Sequence, residues 1–286
     1  MKGIVLAGGT GSRLWPLTKS VSKQLLPIYD KPMIHYPIST LMLAGVRDIL
    51  IITTPQDQSS FKNLLGNGKE IGVNFQYETQ DTPRGLAEAL IIAREFLRGD
   101  RCMMILGDNI FHGNGFGQSL QNYSEIYGSH IFLYEVSNPS DYGIVELDKN
   151  KEIVSIREKP IKPKSNLAIT GLYVFDSHAS DIAKQVSPSS RGELEITSVL
   201  EKYLEQRALG YSRMSRGTAW LDTGNFHSLH DAGTYIRVLE ERTGLKVACL
   251  EEIAWRNGWI DSQELMEVAN LEKSKNIKDY LLKISS

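Results

Sequence analysis

Short, uninterrupted apolar runs constrain the fold of this chain more than any other feature of its sequence. Residues 4–7, 48–53 and 102–106 are runs of this kind, and turn-forming residues follow each of them. Strands of this composition are buried on both faces, as in parallel sheets. Because helical stretches such as 37–44 and 85–97 separate the runs, the sequence predicts an α/β, Rossmann-like fold. We expect three layers, with a mostly parallel mixed sheet between helices on both faces.

The second half of the chain has a different pattern. After Gly143, short strands are separated by turns rich in Asp, Lys and Asn, which predicts a more antiparallel extension of the same sheet. From Leu245 onward, the pattern is typical of short amphipathic helices. We therefore predict an α/β domain over residues 1–244 and a C-terminal helical tail, 245–286, packed on it.

Composition and charge argue against several classes of protein. The 286 residues include 32 Lys and Arg against 34 Asp and Glu, a net charge of −2, whereas nucleic-acid-binding proteins usually carry a basic excess. No apolar run approaches the length that crosses a bilayer, and the first residues do not have the layout of a signal peptide. We therefore expect a cytoplasmic enzyme with neither a nucleic-acid nor a membrane partner.

The loop after the first strand holds the first candidate functional residues. It has three glycines within four positions, Gly8, Gly9 and Gly11. Glycine lets the backbone turn sharply and approach a ligand closely, and the free N–H groups of such a turn bind anions. Arg13 and Lys23 add positive charge nearby, so we predict a polyphosphate site. The spacing fits neither the P-loop nor the dinucleotide fingerprint, which needs glycine at Leu14, and an ordinary turn stays open as an alternative.

Two aspartates are predicted to follow strands and are candidates for metal binding. Asp108 comes directly after the run 102–106, and Asp222 follows a short apolar strand at 218–221. Mg²⁺ is usually held by a few hard oxygen ligands, with phosphates and water completing the shell. Two carboxylates beside a polyphosphate site would suit this ion, although each aspartate on its own is more simply explained as a cap of a turn or helix.

A second group of polar residues is predicted at the same edge of the sheet. Glu158 and Lys159 close another strand, where the lysine suits a phosphate oxygen and the glutamate could accept hydrogen bonds from hydroxyls. An exposed ion pair is the alternative for these two residues. Gln80 lies before a helix that we expect to begin at Gly85, and its amide could read the edge of a nucleobase; a plain β–α turn is the alternative there. Further candidates are Tyr142, Gly143 and Tyr173.

Several of these segments together resemble the sugar nucleotidyltransferases, and the resemblance covers nearly the whole chain. The segments that carry it are GGTGSRL at 8–14, SKQLLP at 22–27, LGDN at 106–109, EKP at 158–160, RGELEIT at 191–197 and WLDTG at 220–224. Lys23 followed by Gln24 is similar to the thymidylyl branch of this family. The resemblance implies a reaction of dTTP with glucose 1-phosphate to give dTDP-glucose and pyrophosphate, with Mg²⁺ as cofactor.

Position by position, the resemblance also implies a role for each candidate. The triphosphate would be held by Arg13, Lys23 and the backbone of Gly8, Gly9, Thr10 and Gly11. The thymine would be surrounded by Gln24, Gln80 and Gly85. The metal ligands would be Asp108 and Asp222. The hexose and its phosphate would be contacted by Tyr142, Gly143, Glu158, Lys159, Tyr173 and Arg191. Catalysis would use the positive charges of Arg13, Lys23 and Lys159.

The residues alone leave other functions open. A uridylyltransferase of the same family would carry the same loop and carboxylates. A non-catalytic protein that binds a nucleotide sugar could have the same fold. Five charged residues present together argue against it: Arg13, Lys23, Asp108, Lys159 and Asp222. A nicotinamide dehydrogenase is disfavoured, because Leu14 stands where the third glycine belongs.

The tail gives a further expectation. Residues 249–259 resemble the longer members of the thymidylyl branch, which implies a homotetramer and a second nucleotide site where dTDP-rhamnose acts as a feedback inhibitor. From the residues alone, Trp255 and Trp259 are four positions apart, so we expect them on one helical face. Packing of this face within the chain is the simpler alternative.

Overall fold

The computed structural model describes residues 1–9 and 11–285, so that Thr10 and Ser286 lie outside the described part. The strands in this part are β1 Lys2–Ala7, β2 Pro27–Ile28, β3 Lys31–Pro32, β4 Asp48–Thr53, β5 Asn74–Thr79, β6 Cys102–Leu106, β7 Asn109–His112, β8 Ser129–Glu135, β9 Gly143–Leu147, β10 Ile153–Glu158, β11 Leu167–Phe175, β12 Leu209–Arg213 and β13 Ala219–Asp222. The helices are α1 His35–Leu43, α2 Gln58–Leu65, α3 Glu88–Ile92, α4 Arg94–Leu97, α5 Phe116–Ser119, α6 Ala179–Ala183, α7 Ile196–Glu205, α8 Phe226–Thr243, α9 Leu250–Arg256, α10 Ser262–Leu271 and α11 Lys275–Ser285. Short 3₁₀ turns include Ser12–Leu14 and Lys23–Leu25.

A mixed sheet of nine strands forms the centre of the part of the chain that the structure describes. Its order is β10-β9-β11-β6-β1-β4-β5, and β8 and β12 continue from β11. The strands β6, β1, β4 and β5 are parallel neighbours, whereas β11 runs antiparallel to β6, β8 and β9. The α/β fold class is therefore confirmed, and β9, β10 and β11 are antiparallel neighbours after Gly143 as predicted. Two strands differ from that prediction: β8, which precedes Gly143, pairs antiparallel with β11, and β12, which follows it, pairs parallel with β8.

Successive side chains of a strand point to opposite faces of a sheet. In this protein, the side chains on both faces are buried in a core. In β1, Ile4 and Leu6 belong to one core, to which α3, α6 and α7 contribute. Val5 and Ala7 belong to the other, which α1, α2 and the C-terminal helices cover. Burial of each large aliphatic side chain stabilises the fold by roughly 2 kcal/mol. The uninterrupted apolar runs are thus explained by two cores, one on each side.

The C-terminal helices share a core with the sheet. Leu250, Leu265 and Leu281, from α9, α10 and α11, lie in the same buried cluster as Val5. The division of the chain at residue 244 stays a prediction.

The expectation that Trp255 and Trp259 share a helical face is wrong. Helix α9 ends at Arg256, and Gly258, with a φ of 68°, turns the chain before Trp259. The two indoles consequently have different neighbours. Trp255 donates from Nε1 to Ser262 Oγ at 3.1 Å, while the ring of Trp259 lies 5.5 Å from the Arg47 guanidinium.

Three further elements differ from the sequence prediction. The helix expected over 85–97 is divided into α3 and α4, and Gly85 has a φ of 113°, which no helix accommodates. Strand β7 was not expected, and it pairs with β13 in a separate two-stranded ribbon. Asp222 is therefore the last residue of a ribbon strand and does not follow a strand. Among the helices that the structure describes, none is long and apolar enough to cross a membrane.

Two histidines should make the fold sensitive to acid. Burial lowers the pKa of His35 and of His130 to about 4, from an ordinary value of 6.5. Between these values the unfolded chain binds protons that the folded chain excludes, so stability must fall as the pH falls from 6.5 towards 4. We expect a loss of about 1 kcal/mol per pH unit for each histidine in this window.

Urea unfolding in steps between pH 7 and pH 5 measures this slope. The variant His130→Gln should reduce it, whereas His227→Gln, at an exposed position of α8, should leave it unchanged. An equal slope in all three proteins would contradict the assignment.

Candidate active site

The loop after β1 forms one wall of a cleft at the carboxyl edge of the sheet. Gly9 and Gly11 have φ values of 128° and 58°, a region that favours glycine. Among the described residues, no protein acceptor is bonded to the N–H of either. The 3₁₀ turn Ser12–Leu14 follows and carries Arg13, an exposed residue that lines the cleft. The loop thus has two N–H groups without a protein acceptor beside a guanidinium that lines the cleft, a combination that suits an anion site.

The next 3₁₀ turn brings Lys23 and Gln24 to the same cleft. Lys23 Nζ forms an ion pair with Asp108 Oδ2, and both side chains are largely buried. Gln24 is 3% exposed, and its Oε1 accepts a hydrogen bond from Ser22 Oγ at 2.8 Å. Lys23 is thus held against the end of β6, although Asp108 lies 85 positions away in sequence.

Asn109 fixes the geometry at the end of β6. Its Nδ2 donates to Asp108 Oδ1 at 2.9 Å. Its Oδ1 accepts from Trp220 Nε1 at 2.6 Å and from the Gly171 N–H at 3.2 Å. Asn109 is 2% exposed, so one buried amide joins β7, β11 and β13 beside the Asp108 carboxylate.

The pKa values of the two aspartates predicted as metal ligands are shifted in opposite directions. Burial, and after it the charge of Asp108, raise the pKa of Asp222 to about 6, against the opposing charges of Lys23 and Arg13. For Asp108, burial acts to raise the pKa, but the Lys23 ammonium and the Asn109 amide outweigh it and lower the pKa below its usual range. Asp108 therefore stays ionised, and a neighbouring cation would favour ionisation of Asp222.

The opposite wall of the cleft comes from the antiparallel strands. Glu158 Oε2 accepts from Thr197 Oγ1 at 3.3 Å, and burial, followed by the charge of Glu195, raises the pKa of Glu158. A Cβ on Gly143 would lie 2.9 Å from Thr197 Cγ2, so only glycine fits there without displacing this contact. Lys159 follows with a φ of 39°, in the left-handed region. Such backbone in a residue other than glycine costs energy and is often found at functional sites.

Aromatic and basic residues complete this wall. Tyr142 packs on Trp220, with ring centroids 5.1 Å apart. Tyr173 is 4% exposed. Its pKa is raised mainly by burial and, to a smaller extent, by the negative charges of Glu158 and Asp108. Arg191 donates from Nη2 to Glu193 Oε2 at 2.6 Å. This wall therefore combines aromatic surface, carboxylates that accept hydrogen bonds, and two cations, Lys159 and Arg191.

The predicted residues are brought together to different degrees. A cleft of about 250 Å³ is lined by Gly8, Arg13, Lys23, Gln24, Asp108, Tyr142, Gly143, Glu158, Lys159, Tyr173, Arg191 and Asp222. Gly9, Gly11, Gln80 and Gly85 are not among its lining residues. Gln80 lies behind the lining, because a Cβ on Gly8 would be 3.0 Å from Gln80 Oε1. Thr10 lies outside the described residues.

Some lining residues were not predicted as part of the site. They are Leu106, Asn109, Glu195, Thr197 and Trp220, together with Leu6, Leu86, Asp141, Ile169, Gly171, Glu193 and Ile196. Asn109, Glu195, Thr197 and Trp220 all lie inside the segments that carry the family resemblance. That position was the signal that could have identified them.

Comparison with known proteins gives matches over almost the full chain. The family described as Nucleotidyl transferase matches residues 2–237. A glucose-1-phosphate thymidylyltransferase of Neisseria meningitidis is 51% identical over 285 residues, which are 99% of each chain. The Mycobacterium tuberculosis protein of the same name is 51% identical over 284 residues, again 99% of each chain. That of Xanthomonas campestris is 52% identical over 269 residues, 94% of this chain and 91% of the relative.

Solved structures have the same fold. A Bacillus anthracis protein assigned as a glucose-1-phosphate thymidylyltransferase, in complex with a sucrose, has a TM-score of 0.77 at 40% identity. The match covers 83% of this chain and 95% of that one. A UDP-glucose pyrophosphorylase complexed with UDP-glucose has a TM-score of 0.74 at 24% identity, a level at which the likeness shows the fold alone.

Replacement of Asn109 should destabilise the protein. Asn109→Leu keeps the size of the side chain but leaves the N–H groups of Gly171 and Trp220 buried without acceptors. Each such loss costs about 1–3 kcal/mol, so we expect about 3 kcal/mol in urea unfolding. Asn114→Leu, at an exposed position, is the matched control and should change stability by less than about 0.5 kcal/mol. A loss below about 1 kcal/mol in Asn109→Leu would show that these contacts are not structural.

Proposed function

This chain belongs to the nucleotidyl transferase family, and from that premise we propose that it transfers a thymidylyl group from dTTP to glucose 1-phosphate. The products are dTDP-glucose and pyrophosphate. The observation that carries the proposal is the cleft itself, which is lined by the cations Arg13, Lys23 and Lys159 together with the carboxylates Asp108, Asp222 and Glu158. The relatives of that activity at 51% identity over the whole chain support it.

The nucleotide occupies the wall formed by the first loop. The free N–H groups of Gly9 and Gly11 bind triphosphate oxygens together with Gly8, Thr10 and the Arg13 guanidinium. Lys23 contributes a second cation beside the α-phosphate. The thymine lies towards Gln24, Gln80 and Gly85. The guanidinium of Arg13 suits the triphosphate because its planar group can donate two parallel hydrogen bonds to phosphate oxygens.

Glucose 1-phosphate occupies the opposite wall. Lys159 and Arg191 bind its phosphate, since both are half-exposed cations that can turn towards a ligand. Glu158 accepts hydrogen bonds from sugar hydroxyls. Gly143 has no side chain and therefore leaves space for the hexose ring. Tyr142 and Tyr173 cover its apolar face. This division assigns one substrate to each side of the carboxylate pair.

Asp108 and Asp222 have the chemistry that a divalent metal requires, and we propose Mg²⁺ as the cofactor. Burial and then the charge of Asp108 raise the pKa of Asp222, and a bound cation would offset the repulsion between the two carboxylates. Two carboxylates are few, but Mg²⁺ usually keeps water and substrate phosphates as its other ligands. When bound, the ion would offset negative charge on the phosphates.

The protein's own residues account for the rest of the reaction. A phosphate oxygen of glucose 1-phosphate attacks the α-phosphorus of dTTP, and the bond from that phosphorus to the bridging oxygen of the β-phosphate breaks. Lys159 orients the attacking phosphate, and Lys23 stabilises charge on the transferred group. Arg13 stabilises the pyrophosphate as it leaves. No covalent intermediate with the protein is needed, because positioning and charge stabilisation dominate phosphoryl chemistry.

Turnover with the two substrates tests this function directly. Purified protein should release pyrophosphate from dTTP and glucose 1-phosphate, with dTTP preferred over UTP in a parallel assay. Arg13→Ala and Asp222→Asn should each lower kcat by a factor of about 100 or more, because the first removes a positive charge that stabilises the transition state and the second removes a ligand of the proposed metal ion. Asp231→Asn, an exposed aspartate of α8, is the control and should be as active as the wild type.

Other results of these assays would support one of the alternative functions. Preference for UTP would make the protein a uridylyltransferase, and binding of dTDP-glucose without any release of pyrophosphate would make it a sensor. Near-normal turnover in Asp222→Asn would remove that residue from the metal site.

We further propose a regulatory second site and a homotetramer. A cavity of about 340 Å³ lies between α1, β7 and α9, and its lining includes two cations, Lys246 and Arg256, each of which is paired with a glutamate. These basic groups suit the diphosphate of a nucleotide sugar such as dTDP-rhamnose. Elsewhere, Leu17 and Phe226 are exposed beside an open depression, and exposed apolar surface of this kind favours contact between copies.

Light scattering at micromolar concentration tests the assembly. The mass should be about four times the 32.1 kDa of one chain, and dTDP-rhamnose should lower turnover of the wild type. A monomer, or turnover that is indifferent to dTDP-rhamnose, would contradict this part of the proposal.

A further inference from the structure

One buried carboxylate beside the cleft has no part in the reaction described above. Glu88, the first residue of α3, is 5% exposed. Its Oε2 accepts from Gln80 Nε2 at 2.7 Å, and its Oε1 accepts from Arg84 Nε at 2.8 Å. We propose that Glu88 is a positioning residue that locks the amide of Gln80, and that the locked amide selects pyrimidines with an N3–H over cytosine. The inference rests on the proposed function, in which Gln80 meets the base.

The neighbours of Gln80 leave its amide only one orientation. Nε2 lies 2.7 Å from a Glu88 oxygen and 3.2 Å from the carbonyl oxygen of Gly85. A carboxylate and a carbonyl only accept hydrogen bonds, whereas an amide group donates from nitrogen and accepts at oxygen. The reverse orientation would place the amide oxygen against two other acceptors. Because Gln80 is 6% exposed, water does not readily relieve such a clash.

The oxygen of the locked amide consequently points away from Glu88. It lies against the first loop, where a Cβ on Gly8 would be 3.0 Å from Gln80 Oε1. Among the described residues, no group donates a hydrogen bond to this oxygen, although both hydrogens of Nε2 have acceptors. Gly8 itself lines the cleft. A fixed, unused acceptor thus lies directly behind Gly8, on the nucleotide side of the cleft.

A fixed acceptor distinguishes the pyrimidines at N3. Thymine and uracil carry a hydrogen on N3 and can donate to Gln80 Oε1, whereas N3 of cytosine is itself an acceptor. Sites built to bond a donor reject a ligand that lacks it by large factors, because buried polar groups are left unpaired. The 5-methyl group plays no part in this contact. Glu88 therefore governs the choice between dTTP and dCTP, and leaves the choice between dTTP and UTP to other residues.

Arg84 provides the matched control. Its guanidinium also bonds Glu88, with Nη2 2.5 Å from Oε1, but its side chain is 68% exposed. Exposed ion pairs contribute little energy. Arg84→Met therefore removes the ion pair and leaves the bond between Glu88 and Gln80 in place.

The experiment compares Glu88→Met, Glu88→Gln and Arg84→Met by kcat/KM for dTTP and for dCTP at saturating glucose 1-phosphate. Methionine has similar length but no strong acceptor, so the amide of Gln80 becomes free to turn. We expect the dTTP-to-dCTP ratio to fall by about tenfold or more in Glu88→Met. Glutamine at position 88 retains an acceptor oxygen, so Glu88→Gln should keep the ratio within about threefold of the wild type, as should Arg84→Met. Glu88→Ala, which admits a water that both donates and accepts, replaces the Met variant if that variant does not fold.

A purely structural role gives a different result. If Glu88→Met loses activity with both nucleotides by the same factor, or keeps the wild-type ratio, the proposal is overturned. Calorimetric binding of dTTP and dCTP separates this inference from the proposed function. Wild-type protein that binds dTTP more tightly than dCTP but releases no pyrophosphate would refute the transferase, and loss of that binding preference in Glu88→Met would retain the role of Glu88. Equal binding of the two nucleotides by the wild type would refute that role.

Discussion

A sheet that is buried on both faces leaves its carboxyl edge as the place where ligands and polar side chains can meet. In this protein the alternation within β1 sends Ile4 to one core and Val5 to the other, so neither face can hold a site. The loops that follow β1 and β6 leave the sheet at this edge. The antiparallel strands then extend the same edge and supply the opposite wall of the cleft. Every candidate residue depends on that arrangement for its position.

Several of the charges in the cleft are paired with one another, and one of these pairs joins distant parts of the chain. Lys23 pairs with Asp108, and Arg191 contacts Glu193, with Glu158 and Glu195 further away. Buried or half-buried charges cost less when each has a partner. A phosphate or a metal ion that enters the cleft would replace the partner of a paired charge such as Lys23 or Asp108. The cleft can therefore concentrate many charges while the fold remains stable.

The sequence predicted the fold class well and the site in part. The runs at 4–7 and 102–106 became β1 and β6, because burial on both faces requires that composition. The ribbon of β7 and β13 was missed, since two strands of four residues are too short for periodicity to show. Asp222 was placed after a strand for the same reason. Gln80 was identified as a base-reading candidate, but nothing in its local pattern indicated that Glu88 holds its amide.

By itself, the sequence determined the layers, the order of their elements and the kinds of chemical group at the carboxyl edge. These follow from hydrophobic periodicity and from residues adjacent to strand ends, which are local properties. The tertiary structure alone decided which groups meet. Asn109 bonds Trp220 across 111 positions, and the pairing of β7 with β13 brings Asp222 opposite Asn109. Such contacts are set by register and by packing between remote segments, and neither leaves a periodic signal in the chain.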